Sequence, residues 1–308
     1  MKKLGCLLLA ALFLSGCAQK APTQEPVTET QAVTDSAAPA GEYLLQQQIY
    51  YDENDRQVVN MEVTFNDSML PISVFLDSGA DVTYTPRYNE DGSFAGFTIS
   101  RMLYGEETVS TALVNDHGDI TEKNADDKTS HIAYGYDTAD RVIKKETSVN
   151  GNLSSVKTWS YDSYGNLTGA SSTDASGGYT LVYENTYDGN LLTAVHCRFE
   201  DGETEHTETF SYDAEGRLTQ KEQISGDETT TTVYTYNDQG LTATETNLLN
   251  GEEYSRTEYS YNEMGLLAEK RTYESGAFTG RITYTWTTNP VEITAAQRNV
   301  LKQLGVIL

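Results

Sequence analysis

The chain has 308 residues, of which 46 are acidic and 21 basic, and its formal net charge is −25. A chain this acidic repels phosphate backbones, so nucleic acid is not expected among its partners. Only 38% of the residues are hydrophobic, the apolar run near the N-terminus is too short to span a bilayer comfortably, and no later apolar stretch is long enough for a membrane anchor.

The first 17 residues have the pattern of a bacterial lipoprotein leader. Lys2 and Lys3 precede a short apolar run that ends at Leu14. The segment from Leu14 to Cys17 then resembles a lipobox, in which the cysteine is lipidated and becomes the mature N-terminus. We therefore expect residues 1–16 to be a signal peptide and Cys17 to carry acyl chains such as palmitate. The alternative is an ordinary secretory signal with a chance cysteine.

The anchor places the protein outside the cytoplasm, on the cell membrane or on the outer membrane of a Gram-negative cell. Residues 18–41 are rich in Ala, Thr, Gln and Pro and have almost no large apolar side chains. Such a segment cannot bury enough surface to offset its ordering entropy. We expect residues 17–41 to be a disordered tether with a reach of about 25–30 Å.

The main part of the chain carries a repeat in which an aromatic residue is followed by Asp or Asn about every 25 residues. The copies are Tyr136-Asp137, Tyr161-Asp162, Tyr187-Asp188, Tyr212-Asp213, Tyr236-Asn237 and Tyr261-Asn262, and one more step reaches Trp286. In such a unit Asp213 can cap a turn with its side chain, and Gly216 can take the left-handed conformation. This combination predicts a hairpin with a G1-type bulge.

A second turn signal follows each aromatic residue by about 15 positions. The dipeptides are Asn150-Gly151, Gly177-Gly178, Asp201-Gly202, Ser225-Gly226, Asn250-Gly251 and Ser275-Gly276. They favour two-residue hairpins because both central residues can take positive φ. The runs between turns are rich in Thr, Val, Tyr and Leu, which prefer strands. Each repeat is therefore predicted to be two antiparallel strands of a continuing meander.

Weaker copies extend the array toward the tether. They are Tyr51-Asp52, Phe65-Asn66, Tyr88-Asn89 and Val114-Asn115. The array then comprises roughly twenty strands in one domain over residues 42–290. A sheet with one apolar face must curl or be covered. We expect an all-β fold, either a large curved sheet or an open barrel or shell.

A second aromatic residue stands two positions before many of the repeat aromatics. Examples are the pairs Trp159/Tyr161, Tyr234/Tyr236, Tyr259/Tyr261 and Tyr284/Trp286. A period of two places both rings on one face of a strand. These rings are candidate surfaces for stacking on a sugar or peptide ligand. The alternative is that they pack within the sheet as a cross-strand aromatic ladder.

The last segment, residues 291–308, departs from the repeat and has a helical pattern. Thr294 is a suitable N-cap and Gly305 a suitable stop. Val300, Leu301 and Leu304 share one face of such a helix. We expect a short helix that covers an end or an edge of the sheet.

The repeat resembles the YD repeats of the RHS family, through Tyr161-Asp162-x-x-Gly165-Asn166-Leu167 and Tyr212-Asp213-x-x-Gly216-Arg217-Leu218. In large members the repeats form a hollow β shell that encloses a toxin or other cargo. The resemblance implies a hairpin array in an extracytoplasmic setting. This chain is far shorter and offers no separate C-terminal effector domain, so toxin delivery is not implied.

One segment suggests catalysis. The sequence around Asp77-Ser78-Gly79 resembles the active-site strand of retropepsin-type aspartic proteases, in which two aspartates share a proton. A single motif would require a homodimer. The repeat explains the same residues as a hairpin tip, because its phase places a second turn there. An aspartic peptidase that uses Asp77 therefore stands as the alternative function.

No metal or cofactor is expected. Cys197 is the one cysteine after the leader and is predicted to be a small, half-buried strand residue, with His196 on the opposite face. The four histidines, His117, His131, His196 and His206, lack metal-ligand spacing. The acidic turn from Asp52 to Asp55 has the composition for weak Ca²⁺ binding, but a solvated hairpin tip accounts for it better.

The sequence therefore predicts a non-catalytic surface lipoprotein that binds a protein, a glycan or another envelope ligand. A purely structural spacer in the envelope is the further alternative.

Overall fold

The computed structural model describes residues 42–77, 80–103, 105–125 and 128–303. The leader, Cys17 and the tether lie outside the described residues, as do Ser78, Gly79, Leu304 and Gly305.

Within the described ranges the chain forms twenty antiparallel strands and one helix. The first ten strands are β1 (Leu45–Asp52), β2 (Gln57–Phe65), β3 (Pro71–Leu76), β4 (Ala80–Tyr88), β5 (Phe94–Leu103), β6 (Glu106–Val114), β7 (Ile120–Ala125), β8 (Lys128–Tyr136), β9 (Val142–Val149) and β10 (Asn152–Tyr161). The others are β11 (Leu167–Asp174), β12 (Gly177–Asp188), β13 (Leu191–Phe199), β14 (Thr204–Tyr212), β15 (Leu218–Ser225), β16 (Glu228–Tyr236), β17 (Thr242–Leu249), β18 (Glu252–Tyr261), β19 (Leu267–Glu274) and β20 (Ala277–Trp286). The helix α1 is Ala295–Gln303.

The sheet closes into a barrel. Each strand pairs with its neighbours in the sequence, and β1 also pairs with β20, with Gln48 opposite Tyr284. The all-β meander predicted from the repeat is confirmed. The prediction left the form between a large curved sheet and an open barrel or shell; the sheet is a closed barrel, so none of the twenty described strands is left as an unpaired edge.

The antiparallel order sorts the turns onto two ends of the barrel. The Tyr-Asp end carries the turns at 66–70, 89–93, 115–119, 137–141, 162–166, 189–190, 213–217, 237–241 and 262–266. The tight-turn end carries the turns between the other strand pairs, including 150–151 and 250–251. The predicted copy at Tyr51-Asp52 has the right chemistry but the wrong phase. Asp52 accepts the Arg56 N–H at 3.0 Å, yet this turn lies at the tight-turn end.

Seven of the nine turns at the Tyr-Asp end are each held by one side-chain oxygen of their first residue. Asp213 Oδ1 accepts the N–H groups of Glu215 and Arg217 at 3.1 and 2.8 Å. Gly216 has φ +79°, and the ladder shifts register next to Tyr212. The capped turn with a G1-type bulge is confirmed. The same pair of side-chain caps is made by Asn66, Asn115, Asp137, Asp162, Asn237 and Asn262.

Three of the predicted tight turns are found where expected, with both residues at positive φ. They are Asn150-Gly151, Asn250-Gly251 and Ser275-Gly276. At Asp201-Gly202 the structure has a four-residue loop, 200–203, in place of a two-residue turn.

Two other tight turns are misplaced in the prediction. Gly177 and Gly178 belong to β12, and the turn lies at 175–176 because Asp174 accepts the Ser176 N–H at 2.7 Å. Ser225 ends β15 opposite Glu228, so that turn falls at 226–227. In both cases the ladder extends farther than the turn signal indicated.

The alternation of side chains divides the barrel into an inner wall, which carries the buried apolar clusters, and an outer wall rich in charged residues. Two clusters of buried residues lie on the inner wall. The first joins β1–β6 to α1 and includes Leu45, Met61, Tyr84, Phe97 and Leu301. The second lies on β11–β14 and includes Leu181, Tyr183, Val195, Cys197 and Phe210. The large side chains that remain exposed, such as Phe75 and Val109, alternate with these and face outward.

Helix α1 covers part of the Tyr-Asp end, as predicted. Thr294 and Gln297 form a capping box: Thr294 Oγ1 accepts the Gln297 N–H at 3.1 Å and Gln297 Oε1 accepts the Thr294 N–H at 2.8 Å. Val300 and Leu301 are buried against the inner wall. The helix donates to the turn at 115–119, where Gln303 Nε2 bonds the Gly118 carbonyl at 3.0 Å. Within the described ranges, no helix is long and apolar enough to cross a membrane.

The turn cap predicts a stability effect at Asn237. Asn237→Ala removes the two bonds to the N–H groups of Gln239 and Leu241, which are 3.0 and 2.9 Å long. We expect a loss of about 1 kcal/mol in the free energy of unfolding, measured by urea denaturation. Asn237→Asp is the matched control, because Asp213 makes the same bonds. Equal losses in both variants would contradict the assigned cap.

Candidate functional site

The repeat aromatics join each repeat to the one before. The Tyr212 hydroxyl donates to the Leu192 carbonyl at 2.7 Å, and the Trp286 indole N–H donates to the Leu267 carbonyl at 2.7 Å. The same bond runs from Tyr161 to Val142, from Tyr236 to Leu218 and from Tyr261 to Thr242. The acceptor lies near the start of the strand that follows the preceding Tyr-Asp turn. The polar ends of Tyr161, Tyr236, Tyr261 and Trp286 are therefore occupied within the wall.

Arginine strengthens this link in two repeats. The Arg217 guanidinium pairs with Asp213 at 2.7 Å and lies 4.6 Å from the ring centroid of Tyr236 in the next repeat. Arg141 does the same with Asp137, at 2.7 Å, and with the Tyr161 ring, at 4.7 Å. In these two repeats the tyrosine ring is covered by an arginine guanidinium, where a second aromatic ring was predicted. The predicted aromatic ladder is here a ladder of arginine–tyrosine contacts.

The other predicted stacking residues also lie on the inner wall. Trp159 packs against the second cluster and Tyr284 against the first. The Tyr259 hydroxyl donates to Glu245 Oε2 at 3.1 Å, and Tyr234 is directly opposite Glu245 in the ladder. Burial raises the pKa of Tyr284 to about 12, consistent with a ring held in an apolar layer. A role in ligand stacking stays a prediction for these rings.

The inner wall also carries a row of cations that the sequence reasoning missed. Arg101 is opposite the buried Val82, and Lys123 is opposite the buried Ala112. Lys145 is opposite both Tyr134 on β8 and Lys157 on β10. Residues directly opposite in a ladder share a face of the sheet. We call Arg101, Lys123, Lys145 and Lys157 the basic row.

The cations of the basic row affect one another. Burial, followed by the charges of Lys145 and Arg101, lowers the pKa of Lys123. Burial and Lys145 also lower the pKa of Lys157, although the Asp174 carboxylate opposes the shift. In the part of the chain that the structure describes, none of the three lysines makes an ion pair. Lys145 Nζ instead lies 5.6 Å from the Tyr134 ring centroid.

The arrangement of the basic row destabilises the folded barrel. Lys145 and Lys157 are directly opposite each other on the neighbouring strands β9 and β10. Their Cα atoms are therefore about 4.5–5.5 Å apart, and like charges in this position are destabilising. A barrel that carries an excess of acidic residues nevertheless gathers four cations on the inner wall between β5 and β10, on strands β5, β7, β9 and β10. The result is a local positive potential inside an acidic molecule. Such a surface is suited to an anion.

Part of the basic row could be predicted from the alternation of side chains along a strand. Lys157 stands two positions before Trp159, so both were predictable on one face. Lys145 and Lys123 are placed beside it only by the register of β7–β10, which turn lengths and bulges set.

Asp77 lies at the tight-turn end, after β3, and is exposed. Its carboxylate accepts the Asn60 N–H at 2.9 Å and the Gln57 side-chain amide at 3.0 Å. Both oxygens are thus engaged by β2, and Ser78 and Gly79 are not among the described residues. The predicted place of Asp77 at a hairpin tip is confirmed.

The prediction that Cys197 is half-buried is wrong, because its side chain is fully buried. It faces His206 on β14, while His196 is on the outer wall opposite Glu184. Burial raises the pKa of the Cys197 thiol to about 11. Spacing along the sequence does not reveal this pair, because Cys197 and His206 lie opposite each other on neighbouring strands.

Comparisons with known proteins assign no family. No family model and no curated protein matches the chain. Among solved structures, a porin-like protein from Bacteroides uniformis ATCC 8492 aligns at 14% identity over 79% of this chain and 98% of its own, with a TM-score of 0.36. The structure of TcdB2-TccC3-Cdc42 aligns at 15% identity over 78% of this chain but 16% of its own, with a TM-score of 0.31. Likenesses at these TM-scores carry no weight for fold or function.

The basic row predicts a stabilising substitution. Lys157→Gln removes the like-charge pair with Lys145, and we expect a gain of a few tenths to 1 kcal/mol in the free energy of unfolding. Urea denaturation at low salt measures this gain, and added salt should reduce it. Lys144→Gln is the matched control, since Lys144 faces outward and pairs with Glu146 at 3.0 Å. Stability lost in Lys157→Gln would contradict repulsion within the row.

Proposed function

We propose that this protein is a lipid-anchored, non-catalytic binding protein of the bacterial envelope, and that the inner wall of its barrel takes an acidic saccharide. The observation that carries the proposal is the basic row, whose three lysines make no ion pair with any described residue, in a chain with a net charge of −25.

The neighbours of the basic row favour a sugar over a small inorganic anion. Tyr134 is directly opposite Lys145, and Trp159 follows Lys157 on the same face of β10. Aromatic faces can pack against the apolar C–H face of a sugar ring, while lysines pair with its carboxylates. Charge and aromatic surface are thus supplied side by side on three adjacent strands. The predicted stacking role of Trp159 fits this arrangement.

The outer wall supports a position in water. This wall carries ion pairs such as Arg198–Glu184 at 3.2 Å and Arg256–Glu258 at 2.7 Å. A barrel embedded in lipid needs a continuous apolar band on that face. The pattern at Cys17 and the tether of 17–41 then supply the means of attachment to the membrane.

A structural role accounts for the contacts of Asp77 better than peptidase chemistry does. A catalytic aspartate needs a second carboxylate with which to share a proton. Asp77 instead uses both oxygens to hold the chain at the start of the tip against β2. We therefore propose a structural role for this residue.

The proposed ligand class predicts selective binding. The first test is an array of neutral and acidic glycans that includes peptidoglycan fragments. We expect binding signals from the carboxylate-bearing sugars, and these signals should decrease when salt is added. The affinity for a sugar that binds is then measured by titration calorimetry. The double variant Lys145→Gln/Lys157→Gln should weaken this affinity by at least about tenfold, because it removes two charge-assisted contacts. Trp159→Ala should weaken binding to acidic and neutral relatives alike.

Lys144→Gln again serves as the control, because it removes one lysine from the outer wall at the position next to Lys145. An equal loss in this control would indicate attraction to the whole surface. Binding to neutral glycans only, or to none on the array, would remove the proposed ligand class.

The anchor is tested by its own variant. Cells that express the full chain with Cys17→Ala should fail to incorporate labelled palmitate into the protein, and the protein should leave the membrane fraction. Cys6→Ala is the control, since this cysteine also lies in the leader but outside the lipobox. Labelling that persists in Cys17→Ala would contradict the assigned site.

A further inference from the structure

A bulge near the tight-turn end brings three metal-binding side chains together. Cys197 on β13 is directly opposite His206 on β14, and the next ladder pair joins Arg198 to Thr204. Glu205 is thus an extra residue with no partner of its own in the ladder. A bulge of this kind re-aims side chains and breaks strict alternation. Glu205 and His206, although adjacent, can therefore both reach the cysteine.

The three donor groups form a compact set. One donor atom from each of Cys197, Glu205 and His206 can be chosen so that all lie within 4.8 Å of one another. Cys197 is 0% exposed and His206 is 2% exposed. The Glu205 carboxylate lies directly against His206 Nδ1. A sulfur, a nitrogen and an oxygen donor gathered in this range match the ligand types that zinc takes in proteins.

Hydrogen bonding leaves this group incomplete. Within the described part of the chain, neither ring nitrogen of His206 makes a hydrogen bond of acceptable geometry, and neither does Glu205 Oε2. Buried polar atoms without hydrogen bonds are costly and rare in native proteins. A metal ion held by these atoms removes that cost, because coordination replaces the missing bonds.

The surroundings fit a metal as well. Glu208 is 1% exposed, and its Oε1 lies 3.9 Å from His206 Nε2, behind the imidazole. A carboxylate behind a coordinating histidine fixes its ring orientation and tautomer in many zinc sites. Lys221 Nζ pairs with this same Glu208 at 2.8 Å. The lysine therefore balances Glu208, which leaves one thiolate and the Glu205 carboxylate to balance a divalent ion.

We propose that Cys197, Glu205 and His206 bind a zinc-like divalent ion that links β13 to β14, with Glu208 as the residue that positions His206. The mixed donor set is borderline in softness and suits zinc, whereas Mg²⁺ and Ca²⁺ prefer oxygen ligands alone. Cys197 belongs to the second buried cluster, and an ion that links two neighbouring strands beside this cluster has a structural role. It is separate from the basic row and does not depend on the proposed ligand.

The test uses the full chain, purified under reducing conditions, stripped with chelator and dialysed against Zn²⁺. We expect about one zinc per chain by elemental analysis and a higher unfolding midpoint with the metal, since an ion that binds only the folded state stabilises it. Co²⁺ in place of zinc should give a thiolate-to-metal charge-transfer band. Cys197→Ala should abolish that band, and Glu208→Gln should weaken zinc binding about 10–100-fold.

His196→Gln is the matched control, because this histidine is one position from Cys197 but faces the outer wall. It should retain stoichiometric zinc. Circular dichroism of the stripped variants verifies that each one folds. The proposal is overturned if the folded wild type takes up neither Zn²⁺ nor Co²⁺, or if Cys197→Ala binds zinc as tightly as the wild type.

Discussion

A β-bulge beside the aromatic residue of each repeat sets the curvature of the whole sheet. Register shifts occur at the same point of successive hairpins, next to Tyr136, Tyr161, Tyr187, Tyr212, Tyr236 and Tyr261. Each bulge bends its strand and increases the local twist. Because all of them lie at the Tyr-Asp end, the bends add around the sheet until β20 meets β1. The hydrogen bond from each aromatic side chain to the preceding repeat then holds the bent hairpins in sequence.

Closure also explains how one acidic chain can carry opposite electrostatic surfaces. A closed sheet has an inside and an outside, and alternation assigns neighbouring residues to different sides. Lys144 and Lys145 illustrate the division: the first pairs with Glu146 on the outer wall, and the second belongs to the basic row. The excess of carboxylates can be met by water outside while cations gather within. An open sheet would expose both faces to the same solvent.

Much of this fold was predictable because its information is local. The capped turn depends on residues four positions apart, as in Asp213 and Arg217, and the helix cap depends on Thr294 and Gln297. Closure was not predictable in this way, because it requires β1 to meet β20 across the length of the repeat domain. The phase of Tyr51-Asp52 was misread for a related reason: its turn chemistry is that of the repeat, and only the strand count shows which end it occupies. The basic row depends on register, which a single strand does not encode.

The bulge at Glu205 shows how a repeat can acquire a local specialisation. The hairpins β9–β10, β17–β18 and β19–β20 have an extra residue at the corresponding place, and there it is Ser154, Tyr254 or Thr279. The first two of these are exposed, and Thr279 bonds the Thr272 carbonyl, so each is accommodated by water or backbone. Glu205 instead meets a buried histidine opposite a buried cysteine. Of these four bulges, this one brings a cysteine, a glutamate and a histidine together, and a local conflict of this kind is expected where a scaffold has acquired a specific role.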